Sequence, residues 1–179
     1  ATSITCTLAP PAIVAYAERL TVVERFADPL GDLIRVREEQ APLLAYFRNN
    51  VLHLFALPAL IACLLGHNRQ LDGARVAQAV RGICALMRAE LFLRWPLDEL
   101  AAASEAVTAV LVTRGLLVRP AGQSILFAPE AITQEFAELH LLGETIRPLL
   151  ERHFLTLALL QKHGPGQLTR QTLENNCHL

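Results

Sequence analysis

From Asn49 to Gly66 the sequence runs for 18 residues without Asp, Glu, Lys or Arg, and from Leu54 to Leu65 only Pro58 interrupts a run that is apolar on every face of a helix. A helix with no polar side must be enclosed by protein, lie on a partner or membrane surface, or cross a bilayer. Crossing takes about 20 mostly apolar residues. Asn49, Asn50, His53 and Pro58 fall inside this window, and each is costly in hydrocarbon unless a neighbouring helix satisfies it. The expectation is therefore a core helix, with Leu54, Leu57, Leu60 and Leu64 packed inside; docking on a partner or a membrane surface is the alternative. A chain of 179 residues, 53% hydrophobic and 18% charged, is long and apolar enough to build a core and is the opposite of a disordered composition. Its 16 Lys+Arg against 17 Asp+Glu give a net charge of -1 and no overall basic field for nucleic acid.

Around that stretch the pattern is mainly α, a helical bundle with two short β-hairpins. Ala12 to Leu20 reads as a short helix. Val22 to Phe26 and Leu33 to Arg37 read as strands around a turn containing Pro29 and Gly31. Glu38 to Gly66 reads as one helix, acidic at its start, bent at Pro58 and ended by glycine. Asp72 is placed to cap a helix from Gly73 to Trp95 with Val76, Val80, Ile83, Met87 and Leu91 on one face. A further helix from Leu97 to Arg114 ends at Gly115, and Leu116 to Arg119 with Ser124 to Phe127 predict a second hairpin. A long amphipathic helix is predicted from Pro129 to His163, carrying Ile132, Phe136, Leu139, Leu142, Ile146, Leu149, Phe154, Leu157 and Leu160 on its apolar side, with Gly143 and Pro148 as bend points. The implied divisions are residues 1–71, holding short helix, hairpin and apolar helix; 72–128, a winged-helix-like helix-helix-hairpin; 129–166, the long helix; and 167–179, the start of an incomplete segment. Ala1 is no initiator Met, no leader pattern follows it, and both ends read as cuts through a longer protein.

Chemistry-bearing motifs are sparse. Cys6, Cys63, Cys84 and Cys177 include no pair at the two-residue spacing of metal or redox sites, and read as reduced intracellular thiols. His67 and Asp72 have the His-four-residues-Asp spacing in which a histidine deprotonates a substrate hydroxyl while an aspartate holds its tautomer. The same residues also fit a turn between helices with Asp72 as cap, which is the favoured reading. His53 reads as a hydrogen-bonded core histidine, and no His or Cys pair has zinc spacing. The helix-helix-hairpin order raises nucleic-acid binding, but the segment Leu97 to Arg114 carries Asp98, Glu99 and Glu105 against Arg114 alone, with Arg119 the single base of the wing. Duplex recognition needs several basic contacts, so no nucleic-acid partner is expected.

Two strings carry a more specific signal: Tyr46-Phe47-Arg48-Asn49-Asn50-Val51-Leu52-His53-Leu54-Phe55-Ala56-Leu57-Pro58, and Leu86-Met87-Arg88-Ala89-Glu90-Leu91-Phe92-Leu93-Arg94-Trp95 followed by Asp98-Glu99-Leu100. In order and spacing they resemble the membrane-associated bacterial glycerol-3-phosphate 1-O-acyltransferases, in the region C-terminal to the catalytic domain, from about Ala12 to Glu174. The resemblance implies a parent enzyme, several times longer, that moves a fatty acyl group from acyl-CoA or acyl carrier protein to the 1-hydroxyl of sn-glycerol 3-phosphate in phospholipid biosynthesis. It further implies a peripheral location on the cytoplasmic side of the inner membrane, the upstream catalytic domain and the membrane surface as partners, and no metal or other cofactor. The family's catalytic His-four-Asp motif is accompanied by a Gly-containing block and a Phe-Pro-Glu-Gly-Thr-Arg-like block. Neither is present: Phe127-Ala128-Pro129-Glu130 lacks the Gly and Arg. No catalytic residue is carried over, and the segment is expected to be inactive alone.

What remains are polar residues on apolar helices: Arg48, Asn49, Asn50 and His53 on one, Arg88, Glu90 and Arg94 on the next. The steps from Asn50 to His53 and from Glu90 to Arg94 place each pair on one helical face. They are expected to make structural or interdomain polar contacts that set helix register, with contact to the catalytic domain or a substrate phosphate as the functional alternative. The rival functions are a winged-helix-like regulatory or nucleic-acid-binding module and a stand-alone enzyme using His67 and Asp72.

Overall fold

The computed structural model describes residues 7–88 and 90–177. Cys6 and the side chain of Cys177, two of the four cysteines, lie outside them. The chain is mostly helical, with two two-stranded antiparallel sheets, and divides into two compact units, Ala1–Val51 and Leu52–Leu179.

In the first unit, α1 (Pro10–Arg19) starts on a proline whose missing N–H costs nothing at a helix N-terminus. Strands β1 (Val23–Phe26) and β2 (Leu33–Val36) form the predicted hairpin, with Val23 opposite Val36 and Phe26 opposite Leu33. Glu24 is cross-strand from Arg35 and ion-paired with it at 2.9 Å. A 3-10 turn, Glu38–Gln40, leads into α2 (Ala41–Asn68), which continues through Pro58 and ends two residues beyond the predicted Gly66. Helix and turn together, Glu38–Asn68, are long and apolar enough to cross a membrane by length and composition.

The core of the second unit is the C-terminal half of α2. Leu57, Leu60, Ile61 and Leu65 are fully enclosed, and so are the small Ala56, Ala59 and Ala62. Small residues let neighbouring backbone approach. The expectation fails at Leu54, which is 44% exposed beside an exposed Phe55, and Leu64 is only partly buried. All-round apolarity thus conceals a helix with one uncovered patch near the start of its buried half.

Asp72 caps α3 (Gly73–Met87) as predicted, its carboxylate accepting from the Ala74 N–H at 2.8 Å. The helix then stops eight residues short of Trp95. Arg88 and Leu91 still donate to Cys84 O and Met87 O, but the chain turns there, burying Leu91 and packing Leu93 and Trp95 against the core. The apolar recurrence at 83, 87 and 91 marks core residues correctly and shape wrongly, because a turn meets the same burial while bringing α4 (Leu100–Thr113) back alongside α3. A turn closed by Glu99 N–H on Pro96 O occupies the predicted first turn of α4. The far end is a Schellman cap: Gly115 lies at φ +75°, Leu116 N–H donates to Leu111 O, and Gly115 N–H to Val112 O.

The second hairpin is smaller than expected, and its principal partner lies elsewhere. Strand β4 (Ile125–Phe127) pairs along its length with β3 (Gln70–Asp72), a segment read as loop, while Leu116 to Arg119 contributes a single bridge, Val118 to Phe127. Bonds from Gly73 N–H to Ser124 O and from Ala128 N–H to Arg69 O extend the β3–β4 ladder at both ends. The order here is therefore helix, strand, two helices and one returning strand, with Val118 bridged to that strand.

The predicted 129–163 helix is two. Thr133, whose hydroxyl accepts from Phe136 N–H at 3.2 Å, caps α5 (Gln134–Glu144), so Pro129 precedes the helix rather than opening it. Pro148 has no N–H to continue the ladder, and the break at Thr145 and Ile146 lets it sit in the first turn of α6 (Arg147–His163). Leu139, Ile146 and Leu149 enter the core, but Ile132, Phe154, Leu157 and Leu160 stay exposed, contrary to the expected apolar stripe. Gly164 ends α6, and α7 (Arg170–Cys177) begins with Thr172 N–H donating to the Thr169 hydroxyl.

Candidate functional site

The geometry of β3 and its neighbours decides the fate of the His67–Asp72 motif. His67 stands in the last turn of α2, its Nδ1 2.9 Å from Cys63 O. Asp72 is spent twice, on the Ala74 amide and on the Ser124 hydroxyl, which donates to its other oxygen. The Ser124 hydrogen bond first, and the Ala74 amide next, hold the Asp72 carboxyl below the usual carboxylate range. An aspartate committed to a helix cap and a wing serine is not orienting His67, so the motif is the turn-and-cap arrangement.

An open groove of about 440 Å³ lies where α5 crosses the end of α2, with Cys63, His67, Phe136, His140, Gly143 and Glu144 among its lining residues. Its chemistry is modest. Burial pushes the Cys63 thiol up, and the Glu144 carboxylate pushes it further, so at neutral pH it is a thiol and not a nucleophilic thiolate. The Cys63 sulfur stands 3.9 Å from His67 Nδ1, and His140 Nε2 lies 4.0 Å from Glu144. Among the described residues no group of three or more His, Cys, Asp or Glu could hold a metal ion. A thiol without an activating base and two separate histidines do not assemble a nucleophile, base and oxyanion site.

The polar residues picked out in the sequence scatter differently from the expectation. Arg48, Asn49 and Asn50 are exposed on α2, where the Arg48 guanidinium reaches its neighbour Asn49 at 3.3 and 3.4 Å, and His53 is half-buried on the same helix. Arg88 and Arg94 are exposed in the turns after α3. Because α3 ends at Met87, Glu90 and Arg94 do not share a helical face, and the four-residue step between them has no helical meaning. Glu90 instead pairs with Arg152 of α6 and lies 3.5 Å from His153 Nε2, tying the 88–99 segment to a helix 62 residues away. Arg152 and His153 were missed because no local spacing links them to Glu90.

At the wing, Arg119 and Glu105 of α4 form a two-point ion pair, one contact at 3.0 Å. The guanidinium lowers the Glu105 carboxyl. The base at the wing is matched by an acid of its own module.

Over residues 1–179 the chain matches the family described as Glycerol-3-phosphate acyltransferase C-terminal region. It is 36% identical over 172 residues to the glycerol-3-phosphate acyltransferase of Xylella fastidiosa (strain M12), covering 95% of this chain and 20% of that protein. It is 36% identical over 170 residues to that of Xanthomonas axonopodis pv. citri (strain 306), covering 94% and 19%. Against that of Pseudomonas aeruginosa (strain UCBPP-PA14) the identity is 36% over 166 residues, covering 93% and 20%. The chain thus spans about one fifth of the length of the curated relatives it matches. No solved structure matches it.

Proposed function

From the premise that this chain belongs to the glycerol-3-phosphate acyltransferase C-terminal-region family, we propose that it is the non-catalytic part of an enzyme acylating sn-glycerol 3-phosphate. The acyl donor is acyl-CoA or acyl carrier protein, and the product, a 1-acyl-glycerol 3-phosphate, enters phospholipid biosynthesis. The parent enzyme sits peripherally on the cytoplasmic side of the inner membrane, and this region partners its acyltransferase domain.

The observation that carries the proposal is a family match over the whole chain in which the one base-and-acid motif is used structurally. His67 faces Cys63 O, and Asp72 is occupied by Ala74 and Ser124. Chemistry therefore belongs to residues elsewhere in the polypeptide, while this region contributes packing.

The test is acyl transfer from palmitoyl-CoA to labelled sn-glycerol 3-phosphate. The full-length enzyme is expected to form product, its His67→Ala variant to do so at an unchanged rate, and this chain alone to form none. Product from the chain alone that disappears in His67→Ala would overturn the proposal.

A further inference from the structure

The first unit has an unusual property: among its described residues, 7 to 51, none is buried. Yet they are ordered as a helix, a hairpin and the first turns of α2, and they are rich in large apolar side chains. On the hairpin, Arg25 is ion-paired at 2.7 Å with Glu18 of α1 and shares a face with Val23, Ile34 and Val36, the last two each 42% exposed. The opposite face presents Phe26, 43% exposed, and Leu33, 60% exposed. On α2, Leu43, Tyr46, Phe47 and Val51 recur at helical spacing along one side and are all exposed, Phe47 by 55%. A two-stranded hairpin is marginal in water without a covered hydrophobic face, and apolar surface on this scale marks a contact site.

We infer that the Phe26 and Leu33 face of the hairpin and the Leu43–Phe47–Val51 stripe of α2 are an interface for the acyltransferase portion of the same polypeptide. Two observations choose this occupant. The chain spans about a fifth of its relatives, and in the parent enzyme proposed above the remaining polypeptide is tethered to residues 1–179. A tethered surface is present at high effective concentration, which favours it over a second copy. Charge speaks against lipid: residues 7 to 51 hold five arginines against six carboxylates. Arg25 is engaged by Glu18 and Asp32, and Arg35 by Glu24. A membrane-surface element carries a basic excess for anionic headgroups, and this one carries none.

The inference deepens the functional reading above by naming what this region packs against, and its test does not depend on catalysis. In the full-length protein, p-benzoylphenylalanine is placed at Phe26 or at Phe47 and irradiated. The replacement keeps a phenyl ring at the site. The expected product is an intramolecular cross-link from each position to residues outside 1–179, unchanged by dilution and by vesicles of phosphatidylethanolamine and phosphatidylglycerol. Cross-links to lipid, to a second copy, or to nothing at both positions would overturn the inference. An active enzyme with those outcomes would sink the interface alone, and an inactive one with the expected cross-links would sink the functional reading alone.

Discussion

Gly143 of α5 rests directly on the backbone of Cys63 in α2: a Cβ at position 143 would stand 3.0 Å from both the Cα and the N of Cys63. The neighbouring atoms are main chain, so they yield only if the helices part. Gly143→Ala is expected to destabilise the protein by about 1–3 kcal/mol, the range of overpacked cores, in spite of alanine's better helix propensity. Urea unfolding that leaves the midpoint unchanged or raised would show that the crossing is looser than its geometry.

Leu60 and Leu54 separate the two sides of α2. Leu60 is fully buried, and Leu60→Ala should cost about 2–5 kcal/mol through lost transfer energy and an unfilled cavity. Leu54 is exposed, and Leu54→Ala should leave the midpoint nearly unmoved. Equal losses would mean that Leu54 is covered within the folded chain.

The Asp72 cap should make stability depend on acid. A carboxyl whose folded-state pKa is lowered stabilises above the ordinary value of 3.8, and that stabilisation is lost as pH falls through the folded value. Ser124→Ala, which removes the larger cause of the lowering, should reduce the thermal midpoint at neutral pH. The gap to the unsubstituted protein should close on acidification below the carboxylate range. A gap that is constant over the whole acid titration would argue that Ser124 acts only through packing.

Cys84 sets a limit on the alkaline side. Burial pushes its thiol up from 9.0 to about 11, so its stabilisation is full below 9.0 and fades as pH rises towards 11, where the unfolded chain ionises first. Cys84→Ala should flatten that part of the stability profile. Maleimide should label the half-buried Cys63 well before Cys84 in the folded protein. Early labelling of Cys84 would contradict its enclosure.

Much of the local structure was legible because its causes are local. Asp72 as a cap, Gly115 as a helix stop, Pro29 and Gly31 in a hairpin turn, and the division at Gly164 each depend on residues within a few positions, where backbone geometry and one hydrogen bond decide. The 83, 87, 91 recurrence identified core residues but not the turn after Met87, since periodicity reports which side chains are covered and not how the chain gets there. For the candidate site, the seven polar residues on apolar helices were visible, but Glu90 forms its long-range ion pairs with partners no spacing rule could supply.

By itself, then, the sequence determined the helical class, the cap at Asp72, the helix stop at Gly115 and, through the strings Tyr46–Pro58 and Leu86–Trp95, the family. Tertiary structure alone decided that β4 pairs with β3, that Ser124 closes on Asp72 across 52 residues, that Glu90 meets Arg152 across 62, and that Phe26, Leu33 and Phe47 face outward. The physical reason is range. A cap or a turn is settled by free energies among neighbours in the chain, whereas pairings of this separation and the choice of covered face depend on how every element is packed at once.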